Sequence, residues 1–185
     1  MKRVLFFLLI ASFVTMGLYA STIGKKMESV DAPDDCTIAD GKVVVKNPLG
    51  NWETKNYGGE NSCYLEKTDS PENACYLSAQ IEVVVHPRQN IQVSVGKWAD
   101  DTGLHTIDAK NPEVTDATLS GKNGKKLTYM KTDHNFDKTK SIEVVHLEYF
   151  FLEPDYALKI NIQFHEPESA VVNEEIESIL SQIEF

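Results

Sequence analysis

The sequence has few of the residues that mark catalytic, metal-binding or nucleic-acid-binding proteins. Its 185 residues include 3 cysteines and 5 histidines, and 18 basic residues stand against 28 acidic ones. A net charge of −10 argues against nucleic-acid binding and against electrostatic docking on an anionic membrane, since both need clustered cations. The sequence contains no P-loop, no G-x-G-x-x-G and no G-x-S-x-G motif, which excludes the nucleotide-binding and nucleophilic sites built on them.

The chain also lacks the ligand spacings of common metal sites. No two histidines lie four residues apart and none lies within a few residues of a cysteine, so there is no local zinc pattern. The D-x-N-x-D spacing that opens a calcium loop occurs at Asp133, Asn135 and Asp137. However, Lys138 stands where that loop turns on glycine, and Val144 stands where it ends in a bidentate acid. The three residues are therefore weak metal candidates, and the sequence predicts no cofactor.

One long apolar run is present, at the start of the sequence. Lys2 and Arg3 precede an apolar stretch over Val4–Val14, and small residues follow up to Ala20. This pattern is typical of a signal peptide over residues 1–20, because the stretch is too short to cross a bilayer comfortably; an uncleaved anchor is the alternative. No second run of that kind follows. We therefore expect a soluble, periplasmic or secreted protein with no stable membrane insertion after signal cleavage.

All three cysteines lie beyond the predicted signal peptide, at Cys36, Cys63 and Cys75. An exported chain meets an oxidising compartment, where one disulfide and one remaining thiol are expected. The turn-rich segment Asp69–Asn73 lies between Cys63 and Cys75, and a hairpin there would place the two cysteines opposite each other. The sequence thus favours a Cys63–Cys75 disulfide, with Cys36 free or paired between chains, and it leaves the oligomeric state open. Three reduced, buried cysteines are the alternative.

The remaining sequence divides into a lead and one domain. Residues 21–40 are polar and contain Pro33, which predicts a flexible lead, and residues 41–185 are predicted to form a single α+β domain. Between two extended runs, the Asn-Gly pair within Lys122–Lys125 predicts a hairpin turn, because both central residues of such a turn need positive φ. The stretch Ile91–Trp98 fits a strand by alternation and a helix by its i, i+4, i+7 spacing, so both remain open.

The clearest pattern is an alternation of apolar and polar residues over Ile142–Phe164. It predicts two antiparallel strands with one apolar face each, joined by a turn at Pro154–Asp155. The register that brings the apolar residues onto a common face predicts these pairs: Phe151 with Leu158, Tyr149 with Ile160, Glu148 with Asn161, and His146 with Gln163. A slip of one residue would move His146 and Glu148 into the core, which is costly.

A predicted amphipathic helix follows these strands. Its apolar stripe repeats at helical spacing and consists of Val172, Ile176, Ile179, Leu180 and Ile183. We expect this stripe to pack on the apolar face of the sheet. The predicted fold class is therefore α+β: an antiparallel sheet with a C-terminal amphipathic helix on one face, and a second short helix left open.

The order of these elements resembles the fold of the photosystem protein PsbP, the Ran-binding Mog protein and bacterial envelope proteins of the DcrB type. The segments that carry the resemblance are Asn47–Trp52, Ser120–Leu127, Glu148–Ile162 and Ile176–Phe185. The resemblance implies a PsbP/Mog-like fold. It carries over no catalytic residue, and most such proteins bind partners or assist assembly, so it favours a protein that is not an enzyme.

Two surfaces are predicted to contact a partner. The first is the polar strand face around His146, Glu148 and Phe150, because an aromatic residue on that face is exposed unless a second layer covers it. The second is the tip of the predicted hairpin, where three lysines cluster in an acidic chain: Lys122, Lys125 and Lys126.

These patterns predict an exported, soluble, non-enzymatic protein-interaction module of the cell envelope, of the inhibitor, immunity or assembly-factor type. Its expected partner is another envelope or secreted protein. The alternative is a periplasmic protein that binds a small ligand or a metal, either between sheet and helix or at the Asp133–Asp137 loop. An enzyme would need a site assembled from distant histidines and acids, for which the sequence has no local motif.

Overall fold

A computed structural model describes residues 35–55, 57, 59–68, 79–91, 94–98, 108–134, 139–165 and 169–185. The predicted signal peptide over 1–20 and the lead up to residue 34 lie outside these residues. Cys75, Asn135 and Asp137 also lie outside them, so the roles expected for these three residues stay predictions.

The described chain is mostly antiparallel β-structure. Its strands are β1 (Asp35–Ile38), β2 (Val43–Lys46), β3 (Trp52–Lys55), β4 (Ser62–Lys67), β5 (Ala79–Pro87), β6 (Lys110–Leu119), β7 (Lys122–His134), β8 (Ser141–Leu152), β9 (Tyr156–His165) and β10 (Ile183–Glu184). A 3-10 turn covers Arg88–Asn90, residues 95–98 are helical, and helix α1 spans Ser169–Leu180. The predicted α+β class with a C-terminal helix and a second short helix is confirmed. Within the described residues, no helix has the length and apolar character needed to cross a membrane.

Seven strands form the main sheet, in the order β3-β4-β5-β9-β8-β7-β6. The predicted β8–β9 register is confirmed, with Tyr149 opposite Ile160 and Glu148 opposite Asn161. Because side chains alternate along a strand, this register gives the sheet one apolar and one polar face. We call them the core face and the outer face.

Helix α1 packs on the core face. Four residues of the predicted stripe lie on α1, but the helix ends at Leu180 and Ile183 lies in β10, so the prediction of Ile183 as a helix residue is wrong. All five are at most 3% exposed, and the core that they join includes Leu65, Ile81, Phe151, Leu158 and Ile160. Burying one such side chain stabilises the fold by roughly 1.5–3 kcal/mol before chain entropy is deducted. A helix of 12 residues is only marginal by itself, so this packing is what holds it.

The strands β1, β2 and β10 form a second sheet with β2 at its centre. Val45 on β2 pairs with Cys36 on one side and with Ile183 on the other. The prediction of a flexible lead over 21–40 is therefore wrong for Asp35–Ile38, because these residues pair with β2 along their whole length. The composition of Asp35–Ile38 does not indicate a strand. These residues are extended because they pair with β2.

The β6–β7 hairpin turns at a different place from the one predicted. Leu119 pairs with Lys122, so the two turn residues are Ser120 and Gly121, both at positive φ (48° and 75°). The predicted turn at Lys122–Lys125 is therefore wrong, and that segment belongs to β7.

Gly124 has a packing role inside β7. A Cβ atom at this position would lie 2.5 Å from the carbonyl oxygen of Phe150 and 2.5 Å from a ring carbon of Phe151. The glycine of the Asn-Gly pair is thus required by the close approach of β8, and no turn is needed to explain it.

Candidate functional site

Polar side chains from five neighbouring strands form a row on the outer face of the main sheet. The register places Glu82 opposite both Tyr64 and Asn161, and it places Asn161 opposite Glu148. His146 lies two residues before Glu148 on the same face of β8, opposite Tyr129 on β7. Strand pairing therefore brings together residues that are far apart in the sequence, and alternation along each strand places them on the same face.

The carboxylate of Glu82 joins β4, β5 and β9. Its Oε1 accepts a hydrogen bond from the Tyr64 hydroxyl at 2.6 Å, and its Oε2 accepts one from Asn161 Nδ2 at 2.7 Å. The hydrogen bond to Glu82, followed by burial, raises the pKa of Tyr64. Tyr64 therefore stays protonated and remains a donor to this carboxylate.

The carboxylate of Glu148 is held in the same way on β8. Its Oε1 accepts a hydrogen bond from the Tyr129 hydroxyl at 2.8 Å, and Lys159 Nζ lies 3.1 Å from its Oε2. Burial, followed by the hydrogen bond to Glu148, raises the pKa of Tyr129. Both glutamates of the row thus have a tyrosine donor that fixes one carboxylate oxygen.

His146 stacks on Tyr129, with the ring centroids 4.8 Å apart and the planes 2° from parallel. Burial lowers the pKa of His146, and the positive charge of Lys131 lowers it further. The imidazole is therefore neutral at pH 7, when it offers one donor and one acceptor nitrogen.

A recess of about 80 Å³ lies among these side chains, and we call it the polar recess. Its lining residues include Gln80, Glu82, His146, Glu148, Asn161 and Gln163. Three buried polar atoms of this lining have no hydrogen-bond partner among the described residues: His146 Nε2, Glu148 Oε2 and Asn161 Oδ1. Lys159 balances the charge at Glu148 Oε2 without the geometry of a hydrogen bond. Buried polar groups are normally paired, so this concentration indicates a place where water or a further group binds.

The size of the polar recess limits what that group can be. Pockets for small organic ligands have volumes of roughly 300–1,000 Å³. A recess of about 80 Å³ accommodates water or the tip of a single side chain. The geometry therefore fits a contact point in a larger interface better than a pocket for a whole ligand.

Phe150 shares the outer face with His146 and Glu148, but it is not exposed. The Trp98 ring, from the helical residues 95–98, stacks on it with centroids 4.8 Å apart and planes 13° from parallel. Phe150 is 2% exposed as a result. The expectation that Phe150 lies on an open surface is therefore wrong, because residues 95–98 supply a second layer there.

The three lysines predicted to cluster are separated by the β7 register. Each has its own acidic or aromatic neighbour: Lys122 Nζ lies 2.6 Å from Glu153, Lys125 Nζ 2.6 Å from Asp116, and Lys126 Nζ 5.4 Å from the Tyr149 ring centroid. Lys125 and Lys126 also point to opposite faces, since they are consecutive in a strand. The prediction of one cationic tip is therefore wrong.

A larger groove lies on the other side of the sheet, between the edge strand β6 and helix α1. It encloses about 420 Å³, and its lining includes Ser120, Lys126, Tyr149, Glu177 and Ser181. Burial, together with the charge of Glu177, raises the pKa of Tyr149 to about 12. This groove corresponds to the gap between sheet and helix in which the sequence placed an alternative ligand site.

The structure describes only one residue of each predicted set, Asp133 of the metal candidates and Cys63 of the disulfide. No group of three metal-ligating side chains occurs among the described residues, and Asp133 lies in β7 opposite Ile142. Cys63 lies opposite Val83 on β5. β4 pairs with β3 on one side and with β5 on the other. Cys75 lies outside the described residues, so the Cys63–Cys75 disulfide stays a prediction.

Sequence reasoning placed His146, Glu148 and Asn161 together but missed Glu82 and Trp98. Glu82 reaches the site because β5 pairs with β9, a contact between distant segments. The polar positions of the alternating strand Ile81–His86 were a usable signal for Glu82. Trp98 had no comparable signal, since its segment fitted both a helix and a strand.

No family model matches the sequence, and no curated protein matches it either. Among solved structures, the chain is similar to LpqN of Mycobacterium tuberculosis, described as involved in cell envelope biogenesis, with a TM-score of 0.55 and 11% identity over 81% of this chain and 89% of LpqN. A protein of Bacteroides thetaiotaomicron gives a TM-score of 0.51 and 12% identity over 82% of this chain and 47% of its own length. The Ran-binding protein Mog1p of Saccharomyces cerevisiae gives a TM-score of 0.47 and 12% identity over 80% of this chain and 93% of Mog1p. At such identities the likeness concerns the fold alone, and the fold is PsbP/Mog-like, as the sequence resemblance implied.

Proposed function

We propose that this chain is an exported, non-enzymatic module of the cell envelope that binds another envelope or secreted protein through the outer face of its main sheet. The observation that carries the proposal is the polar recess, where three buried polar atoms lack a hydrogen-bond partner among the described residues. In the free protein, water can occupy the recess and pair with these atoms. A partner whose donors replace that water would make direct hydrogen bonds to them.

The chemistry of the recess favours a cationic side chain of the partner. The carboxylate oxygen of Glu148 and the amide oxygen of Asn161 are both acceptors, and the neutral His146 offers a third acceptor in one tautomer. Glu82 adds a second carboxylate at the same place, and the whole chain carries a charge of −10. A lysine or arginine donor would therefore find hydrogen bonds and an attractive field together.

Two further observations support a location in the envelope. The sequence over residues 1–20 has the pattern of a signal peptide. LpqN, which shares the fold, is described as involved in cell envelope biogenesis. The location is tested by the mass of the protein recovered from its own cells: a mature chain lacking about 20 residues supports export, and a full-length cytosolic chain contradicts it.

The interface is tested by photo-cross-linking in the native host. A photoreactive residue at Gln163, on the exposed rim of the polar recess, should form an adduct with one protein partner. The same residue at Val171, which is 63% exposed on α1, should not. Adducts from Val171 with none from Gln163 would place the interface elsewhere and refute the proposal.

Matched variants then test the role of the recess. The substitution Glu148→Gln removes a charge and should reduce the Gln163 adduct at least about fivefold, the equivalent of about 1 kcal/mol of coupling. Glu174→Gln removes an equal charge on the exposed side of α1 and should leave the adduct unchanged. Equal adduct yields in the two variants would show that the polar recess does not take part in partner binding.

The groove between β6 and α1 supports a second candidate function, the binding of a small ligand with apolar and anionic groups. Its volume of about 420 Å³ lies in the usual range for ligands, and Lys126 lines it. A ligand from a panel of amphiphilic carboxylates should then raise the Tm of the wild type and of Lys125→Gln, but not of Lys126→Gln. A panel that shifts none of the three proteins would remove this candidate.

A further inference from the structure

Two cysteines that are distant in sequence meet where the two sheets come together. Cys63 on β4 is fully buried, Cys36 on β1 is half-buried, and both belong to the same core. Their side chains are hydrogen bonded to each other. Just beyond β1, the Ala39 amide donates a hydrogen bond to the Glu60 carbonyl at 3.1 Å, which fixes the two segments next to each other.

We propose that Cys36 and Cys63 form the disulfide of this protein, a covalent link between the small sheet and the main sheet. A disulfide needs two sulfur atoms that already lie close, on backbones whose separation suits the bond. The hydrogen bond between the side chains shows that the two sulfur atoms lie close, and the contact of β1 with β4 places their backbones next to each other. The pair differs from the Cys63–Cys75 disulfide that the sequence favoured, and Cys75 lies outside the described residues.

The two thiols have different surroundings, which assigns their order of reaction. The hydrogen bond from Cys63 lowers the pKa of Cys36, although burial opposes this effect. The pKa of Cys63 is raised by the same hydrogen bond and by burial. Cys36 is therefore the thiol that becomes a thiolate and can be reached from solvent, and Cys63 is the thiol that completes the bond.

The oxidant is an exchangeable disulfide, either a low-molecular-weight one such as oxidised glutathione or that of a thiol oxidoreductase. The Cys36 thiolate attacks one sulfur of the donor, forming a mixed disulfide and releasing the first donor thiolate. The Cys63 sulfur, after losing its proton, then attacks the Cys36 sulfur and releases the second donor thiolate. Two electrons and two protons pass to the donor, which leaves as two thiols.

The test is peptide mapping of the full chain after oxidation with oxidised glutathione and alkylation of the remaining thiols, without reduction. One cross-linked peptide pair containing Cys36 and Cys63 is expected, with Cys75 alkylated. A cross-link that includes Cys75, or alkylation of all three cysteines, would overturn the proposal. This assay needs neither a partner nor export, so its result is independent of the proposed function.

Thermal stability measurements on cysteine variants also test the Cys36–Cys63 disulfide. Reduction should lower the Tm of the oxidised wild type by about 5–12 °C, because the cross-link restricts the unfolded chain. Cys75→Ser should show the same shift, and Cys36→Ser should show none. A shift that persists in Cys36→Ser and vanishes in Cys75→Ser would assign the bond to the other pair. If Cys36→Ser disturbs folding, Cys36→Ala provides the same comparison.

Discussion

The indole nitrogen of Trp52 donates a hydrogen bond to the carboxylate of Glu175 at 3.0 Å, joining the edge strand β3 to helix α1. The same carboxylate accepts hydrogen bonds from Lys67 Nζ at 2.8 and 2.9 Å and from Asn51 Nδ2 at 2.8 Å. Lys67 is only 7% exposed, so its charge needs an acid within the protein. Glu175 therefore connects the helix to the first two strands of the main sheet.

Replacing the partly buried Glu175 should destabilise the protein. Glu175→Gln removes the charge that balances Lys67 and weakens the hydrogen bonds from three donor residues, so the free energy of unfolding should fall by about 1–3 kcal/mol. Glu174→Gln, at the exposed neighbouring position, is the matched control and should change it by less than about 0.5 kcal/mol. Urea unfolding of both variants measures the difference, and equal stabilities would contradict the anchoring role.

The Glu175 contribution should also depend on pH. Burial by itself raises the pKa of this carboxyl, but the donors Lys67, Asn51 and Trp52 outweigh burial and lower the pKa below its ordinary value. The unfolded chain therefore binds the proton first as the pH falls. The stabilisation is complete above the ordinary glutamate pKa of about 4.3 and is lost as the pH falls through the lower folded value.

The measurement is the difference in free energy of unfolding between wild type and Glu175→Gln along a pH series. That difference should be constant from about pH 7 to about pH 5.5 and should shrink below about pH 4.5. A difference that stays constant down to about pH 3 would show that ionisation of Glu175 does not contribute.

Two glycines of the β6–β7 hairpin should respond differently to alanine. Gly124→Ala places a Cβ atom against the Phe150 carbonyl and the Phe151 ring, so strands must separate, and we expect a loss of about 2–4 kcal/mol. Gly121→Ala meets open space and costs only the strain of its positive φ, about 1 kcal/mol. Chemical unfolding measures the stability of both variants. A larger loss of stability in Gly121→Ala than in Gly124→Ala would contradict the packing role of Gly124.

Removing Trp98 should uncover an apolar surface without removing the main core. In Trp98→Ala, Phe150 loses the ring stacked on it, so binding of a hydrophobic dye such as ANS should rise severalfold in the folded state. Stability should fall by about 1–2 kcal/mol. Trp52→Phe, which keeps a ring in the core but loses the hydrogen bond to Glu175, is the control and should leave dye binding unchanged.

The parts of the fold that could be predicted from the sequence are those decided within one hairpin or one helix. The pairing of Tyr149 with Ile160 follows from alternation on two adjacent strands, and it also placed Glu148 opposite Asn161 in the candidate site. Burial of Val172, Ile176, Ile179 and Leu180 on α1 follows from helical spacing in the same way, whereas Ile183 is buried as part of β10.

The parts that could not be predicted depend on contacts between distant segments. Trp52 and Glu175 are 123 residues apart, and the residues around each of them give no sign that the two side chains are in contact. The turn was misplaced because the need for Gly124 comes from Phe151 on another strand. Phe150 is likewise buried by Trp98, which lies in a segment whose sequence pattern fitted both a helix and a strand.

The central position of β2 in the small sheet has a consequence for the order in which the chain folds. Lys46 on β2 and Glu184 on β10 form an ion pair at 2.6 Å although 138 residues separate them. A chain that emerges from a ribosome or a translocation channel with its N-terminus first therefore presents the apolar strand Val43–Val45 long before β10 exists. Such distant pairing is slow, and the waiting strand has one unprotected edge at which other chains can add. That edge of β2 therefore stays open until β10 has emerged.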